Sequence, residues 1–477
     1  MRIALLIMMI GLAGPVRGGA EPDAVVDPSF ANGQLSSHAA SAPVFASIAA
    51  ALSAAPGEEA GPYRVLIRKG VYREKLRITR PGVHLVGEDR DHTVIRWDDT
   101  GSTIGADGNQ LGTGGSATLT VLAPGFRAEN LTITNGFDYP ANAALAEDDP
   151  RRVKGMQAVA LMTAGDSDRA VFERVTISGY QDTLFVDAGR HYFRDCKVLG
   201  HVDFIFGAGQ AVFDNCDIVS RNRENKNPTG YVTAPSTHVA QPYGLLFIDS
   251  RLLKESPAVP AHSVRLGRPW HPGTAPTAEG SAVFINCFMD DHIGPEGYAP
   301  ISGVGADGVR VWFEVDERSR FFEFGSHGPG GTPSEHRPRL TARQAEWFSS
   351  SADKGIDLPQ DLTGLNTVDT QNFNTAFYTS IRRIVGLDQN PAGKAIHIKW
   401  KYEPPFPDIK GHMTQGEVHG RMGVPGQGDQ RRCQFIKFNP GHFFIYQSLD
   451  PFLLKSEFFP SCNRIKVGVN VLKRSDK

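Results

Sequence analysis

Short runs of alternating apolar and polar residues recur through the first two-thirds of the chain, and several of them repeat one unit. Phe172–Ile177, Phe193–Val198, Phe213–Ile218, Phe247–Leu252 and Phe284–Met289 each read Phe, two mostly polar residues, a small residue, then an apolar residue two places on. Ala128–Ile133 fits the same frame without the Phe. The first anchors stand 21 and 20 residues apart and the later ones 34 and 37, which implies loops inserted into a common period. A period of about 20 with short alternating strands predicts the coils of a parallel β-helix, each of which buries its apolar face only against its neighbours. The runs Tyr63–Ile67, Leu76–Ile78, Val83–Val86 and Ala117–Val121 carry the rhythm toward the N-terminus. An all-β solenoid is therefore expected over roughly residues 40–330. The Ala-rich stretch Phe45–Ala55 has helical spacing and predicts a helix capping the first coil.

Outside that repeat the two ends differ. Met1 and Arg2, the apolar run Ile3–Ala13 and the small residues Gly18, Gly19 and Ala20 before Glu21 predict a cleaved secretory signal over residues 1–20. No Cys follows the apolar run, so no lipid anchor is expected. Residues 351–477 hold 17 Lys+Arg against 12 Asp+Glu, a net of +5, whereas the rest of the chain carries −7. This C-terminal extension shows neither the coil repeat nor helical periodicity, and its structure stays unassigned. It reads equally as an accessory module, a disordered basic appendage or sequence foreign to the fold through a shifted reading frame.

The whole chain, with 50 Lys+Arg against 52 Asp+Glu, has no bulk charge for nucleic acid, and no internal apolar run reaches the roughly 18 residues of a membrane helix. Of five cysteines, Cys196, Cys216 and Cys287 share one position of the repeat. Strands about 4.8 Å apart would allow a Cys196–Cys216 bridge or two stacked thiols, and both remain open.

The repeat also makes a chemical prediction. Asp182 and Asp203 each lie ten residues after a Phe anchor, so they are expected at equivalent positions on neighbouring coils, with a one-residue uncertainty in register. Two adjacent carboxylates do not both ionise cheaply, so one becomes an acid while the other stays an anion. Gly179–Leu184 and Asp203–Gly207 set these groups among aromatics, as a sugar cleft would. Hydrogen bonding within a turn or ladder is the alternative use of such a pair.

Gly70–Glu74, Gln157–Leu161, Gly179–Leu184, Asp203–Gly207 and Leu266–Trp270 resemble, in order, the signature segments of the pectin methylesterases, with closest similarity to secreted bacterial members. The resemblance implies a right-handed parallel β-helix and a carboxylic ester hydrolase acting on methyl-esterified homogalacturonan. It implies Asp203 as nucleophile, Asp182 as general acid and then base, Gln157 and Gln181 as oxyanion donors, and Arg268 as the partner of Asp203. No metal or organic cofactor is implied. Tyr180, Phe206 and Trp270 would offer apolar faces to galacturonate rings, and Val202 and Thr113 match cleft-lining positions. Phe185, Gly273 and Ile301 depart from the Tyr, Thr and Met of bacterial relatives and bear on subsite preference.

Tyr72 is read as packing and Glu74 as pairing with a nearby base. His191, His201 and His271, without a Gly-x-Ser-x-Gly elbow, are read as surface or stack residues. Leu340–Trp347 resembles the closing helix of the family. The expected organisation is a signal over 1–20, a catalytic unit over 21–350 and an extension over 351–477, acting as a monomer. A pectate lyase or polygalacturonase on the same solenoid, a thioesterase relative and a non-catalytic pectin-binding solenoid are the competing readings.

Overall fold

Inward-facing apolar residues on every second position of short strands force the chain to wind on itself, and three parallel sheets of eleven, eight and seven strands result. The computed structural model describes residues 21–32 and 42–348, apart from 225, 242, 276, 305–307, 317 and 346–347, and four strands between residues 395 and 446. Successive strands pass from the first sheet to the second to the third, then return one coil further on. The parallel β-helix expected from the repeat is present.

The Phe anchors form one ladder in the first sheet: Phe172 pairs with Phe193, Phe193 with Phe213, Phe213 with Phe247, and Phe247 with Phe284. Their rings stack with centroids 4.6, 4.7, 4.6 and 4.7 Å apart. That spacing matches the separation of neighbouring strands, so each ring stacks without leaving its own coil, adding about 0.5–1.5 kcal/mol per pair to the burial term. The extra residues of the longer repeats fall outside the ladder, in segments such as 221–229, 236–244 and 255–263 that border the third sheet.

The polar residues of the unit also have a reason. Asn130, Arg174, Asp195, Asn215, Asp249 and Asn286, each two places after an anchor position, all have positive φ between 49° and 56°. Asn and Asp adopt this left-handed conformation most readily among residues with a side chain, and it turns the chain from the first sheet into the second. Arg174 is the exception, and its guanidinium is tied to Glu129 and Glu173 at 2.5 and 2.6 Å. One place further, Leu131, Val175, Cys196, Cys216, Ser250 and Cys287 are all buried. The three cysteines are free thiols, with Cys196 and Cys216 donating to the carbonyls of Phe172 and Phe193, so the stacked-thiol alternative holds here.

The N-terminal helix is shorter than its Ala-rich stretch suggested. It spans Ile48–Ser53, with the Ser47 hydroxyl accepting from Ala50 N–H at 3.1 Å, whereas Phe45 belongs to a strand, Val44–Phe45. That strand and Ala24–Val26 continue the first sheet at its N-terminal edge. Among the described residues Glu74 pairs with no base. Its carboxylate accepts the Ile48 and Ala49 N–H groups at 2.9 and 2.8 Å, because the first turn of the helix leaves these donors unsatisfied. Tyr72 is buried, as expected.

At the other end residues 342–345 are helical, and Leu340, Ala345 and Phe348 join Val171, Tyr192, Val212 and Leu246 in a cluster on the outer face of the first sheet. In the extension, strand Ala395–Lys401 pairs antiparallel with Gln415–Arg421, and Cys433–Phe438 with Gly441–Tyr446. The predicted signal over 1–20 lies outside the described residues, as does most of the extension. Among the described residues no helix is long and apolar enough to cross a membrane.

His191, His201 and His292 are buried, and burial pushes their pKa values down to about 4, 3 and 4. In the unfolded chain each titrates near 6.5. Stability is therefore full above pH 6.5 and falls as the pH drops toward 4, because the unfolded chain takes up protons that the native one refuses, at about 1.4 kcal/mol per pH unit for each histidine. Asp182, whose pKa moves the opposite way, offsets at most one of the three. Thermal unfolding from pH 7 to pH 4 is expected to show a steadily falling Tm, and a flat Tm over that window would contradict this assignment.

Candidate active site

Both aspartates sit at the corner between the second and third sheets. Asp182 precedes strand Leu184–Val186, and Asp203 is the second residue of strand Val202–Gly207. Leu184 pairs with Ile205 and Phe185 with Phe206, an offset of 21 that also relates Asp182 to Asp203 and removes the ambiguity of register. Both have positive φ, 60° and 50°. The ladder slips by one residue between Val202 and Ile205 where this strand meets Gly230–Pro235, so Asp203 stands on a bulge, a device that re-aims a side chain. Asp182 N–H donates to the Val202 carbonyl at 3.0 Å, locking the two corners together. Gly207 closes the strand at φ 122°, where a Cβ would lie 2.0 Å from the Val186 carbonyl oxygen and force the coils apart.

Arg268 follows strand Val264–Gly267 and reaches back across the intervening coil. Its Nε and Nη2 donate to the two carboxylate oxygens of Asp203 at 2.7 and 2.5 Å, a bidentate pair with both side chains mostly buried. The guanidinium also lies 3.9 Å from the centroid of the Tyr231 ring. Burial alone would lower its pKa, but Asp203 and the bonds to it raise it instead.

Asp182 is held well above the ordinary carboxylate range. Burial is the largest cause and the negative charge of Asp203 the second, while Arg268 and a hydrogen bond from Gln181 pull the other way without cancelling them. The two carboxylates thus divide into one paired with arginine and one whose burial and charged neighbour favour its protonated form.

Gln157 and Gln181 come from adjacent coils, joined by a bond from Ala158 N–H to the Gln181 carbonyl at 3.1 Å. Each keeps part of its surface in solvent. On the outer face of the third sheet, beside them, Met162, Phe185, Phe206 and Ala234 line up in register. The Phe185 and Phe206 rings stack at 4.3 Å, and Trp270 meets both edge-on at 6.1 and 5.6 Å. Thr113, in the short helix Gly112–Gly115, borders the same patch, since a Cβ on its neighbour Gly114 would stand 3.3 Å from Met162.

Val202 is buried. Tyr180 lies apart from the aromatic patch, its ring stacked on Tyr139 at 5.4 Å and covered by the Arg221 guanidinium at 4.2 Å. His191 and His201 are core residues, and His271 stacks on Phe313 at 4.1 Å. Sequence spacing did not reveal Tyr231, Tyr139 or Arg221. Tyr139 lies within, and Tyr231 follows, a segment whose length breaks the repeat, so counting from a Phe anchor does not find them, whereas Arg221 stands eight residues after Phe213, as Tyr180 does after Phe172, with nothing in the pattern to mark it.

The pectinesterase family model matches residues 38–313. Pectinesterase A of Dickeya dadantii is 45% identical over 360 residues, covering 73% of this chain and 95% of that protein. Among solved structures, an Asp-to-Ala variant of a pectin methylesterase in complex with a hexasaccharide superimposes with a TM-score of 0.65 at 44% identity, covering 72% of this chain and 99% of the other. A pectin methylesterase from Yersinia enterocolitica gives 0.61 at 49% identity, covering 64% and 97%. With a buried carboxylate pair set on a parallel β-helix and matches of this extent, the chain belongs to the pectinesterase family, whose members are carboxylic ester hydrolases.

Proposed function

We propose that the protein hydrolyses the C6 methyl esters of homogalacturonan to pectate and methanol through an acyl-enzyme on Asp203. The observation that carries this reading is the pairing of Asp203 with Arg268 beside a second, buried carboxylate, Asp182, whose surroundings raise its pKa. The Asp203 carboxylate, oriented by two charge-assisted bonds, attacks the ester carbonyl carbon. The side-chain amides of Gln157 and Gln181 donate to the oxyanion that develops; Gln181 gives one N–H to Asp182 and has a second to offer. Asp182 passes its proton to the departing methoxide, which leaves as methanol, and a mixed anhydride joins Asp203 to C6. Now an anion, Asp182 takes a proton from water, whose oxygen opens the anhydride to give the galacturonate and free Asp203. No step calls for a metal or an organic cofactor.

The patch of Phe185, Phe206 and Trp270, with Thr113 beside it, offers apolar faces to sugar rings on the outer face of the third sheet, and Val202, next to Asp203, is the other cleft residue this reading assigns. Tyr180, read from the sequence as another sugar contact, stands apart from this patch, stacked on Tyr139 and covered by Arg221. The same proposal takes residues 1–20 as an export signal, 21–350 as the catalytic unit of a secreted monomer and 351–477 as an appendage the chemistry does not use.

Mass spectrometry of a methyl-esterified hexagalacturonide after incubation tests the reaction class. Products lighter by one CH₂ per turnover with the chain length unchanged are expected. Shortened or unsaturated products would instead identify a glycosidase or a lyase.

A further inference from the structure

His201, the residue before the Val202–Asp203 corner, is completely buried, yet nothing in the chemistry above uses it. Its Nδ1 accepts the Val202 N–H at 2.7 Å. Its own N–H donates to the Tyr180 carbonyl at 2.9 Å, and its carbonyl accepts the Tyr231 N–H at 2.8 Å. The imidazole is packed against Tyr139 edge-on at 4.4 Å and against Tyr180 at 5.5 Å. With Nδ1 accepting, the proton of the neutral ring is on Nε2, and Nε2 is buried without a hydrogen-bond partner among the described residues. A core position occupied by a half-satisfied imidazole costs stability that an apolar ring of similar shape would not. The side-chain bond obtained in return is to the Val202 N–H, one residue before Asp203.

Val202 is held through both of its flanking peptides. Val202 N–H is fixed by His201, and Val202 C=O accepts the Asp182 N–H. The next residue is Asp203 in its left-handed conformation on the bulge, so a small rotation about the Val202 backbone swings the Asp203 carboxylate relative to Arg268 and Asp182. We infer that His201 is a positioning residue for the esterase reaction, its neutral Nδ1 fixing the Val202 N–H, hence the backbone of Val202, and through it the reacting carboxylate on the next residue. The inference rests on the reading of Asp203 as the nucleophile. The charged groups nearest the ring, Arg221 and Arg223, act together with burial to keep it neutral.

The test compares H201N, H201F and D203N in methanol release from methylated pectin, with thermal unfolding of each. The Asn Oδ1 occupies the position of Nδ1 and keeps the acceptor, whereas Phe keeps the ring and loses it. H201F is expected to lose about 10- to 100-fold in kcat, with KM within about twofold and a Tm no lower than the parent's, while H201N recovers most of the rate. Full kcat in H201F, or equal losses in H201F and H201N tracking a lowered Tm, would reduce His201 to a packing residue. If D203N retains the parent rate, it is the underlying nucleophile assignment that fails, and that outcome is separate from any result at His201.

Discussion

D203N is expected to lose methanol release from methylated pectin by about 10⁴-fold or more while remaining folded. The amide is close in shape to the carboxylate and its oxygen still accepts one of the two Arg268 bonds, so the guanidinium keeps a partner, but it has no anionic oxygen with which to form the anhydride. D203A adds a second effect. Arg268 is mostly buried, and removing its partner leaves a desolvated cation, which costs about 3–5 kcal/mol where both groups are fully buried and somewhat less here. The Tm of D203A should therefore fall below that of D203N, although both are inactive. Circular dichroism and thermal unfolding beside the assay separate lost chemistry from lost fold, and a folded D203N with more than a few per cent of parent activity would remove Asp203 from the role of nucleophile.

The second large effect is at Asp182. D182N is expected to lose about 10²- to 10⁴-fold in kcat, because methoxide is a poor leaving group without a proton and water a poor nucleophile without a base. The pH profile carries the sharper information. With its pKa raised by burial and by Asp203, Asp182 is protonated in the range where an ordinary aspartate is not, so kcat/KM falls as the pH climbs through that raised pKa. In D182N the residual activity should lose this basic limb. An unchanged profile in D182N would place the acid elsewhere. The same coupling predicts that D203N lowers the pKa of Asp182, since one of the two causes holding it up is gone.

The fold and the carboxylate pair were legible in the sequence for a specific reason. A β-helix repeats its contacts from coil to coil, so Phe172, Phe193 and Phe213 report the register directly, and counting from them places Asp182 over Asp203. The remaining one-residue ambiguity came from the turns after the two strands, where three residues separate Val186 from Arg190 but only two separate Gly207 from Gln210, a difference that leaves no mark in the pattern. The turn at Asn130, Asp195, Asn215, Asp249 and Asn286 was visible as polar residues, but its left-handed backbone, the property that favours Asn and Asp there, is not something a hydrophobic pattern encodes.

Arg268 followed from family resemblance rather than from spacing, since 65 residues and several loops separate it from its partner. Glu74 was read as one half of an ion pair because a carboxylate among basic residues suggests one. The unsatisfied N–H groups of a six-residue helix compete for it and win. Phe45 looked helical beside alanines, but the open edge of the first sheet recruits it as a strand. The extension after residue 348 carries no repeat, so nothing in its sequence reports on its neighbours.

The account stands most directly on the release of methanol from highly methylated pectin by the protein with EDTA present. Methanol appearing in step with new carboxylates, at the same rate with and without the chelator, is the predicted result. A folded protein that binds pectin and releases no methanol would contradict it and leave a solenoid that recognises the polymer without cutting its esters.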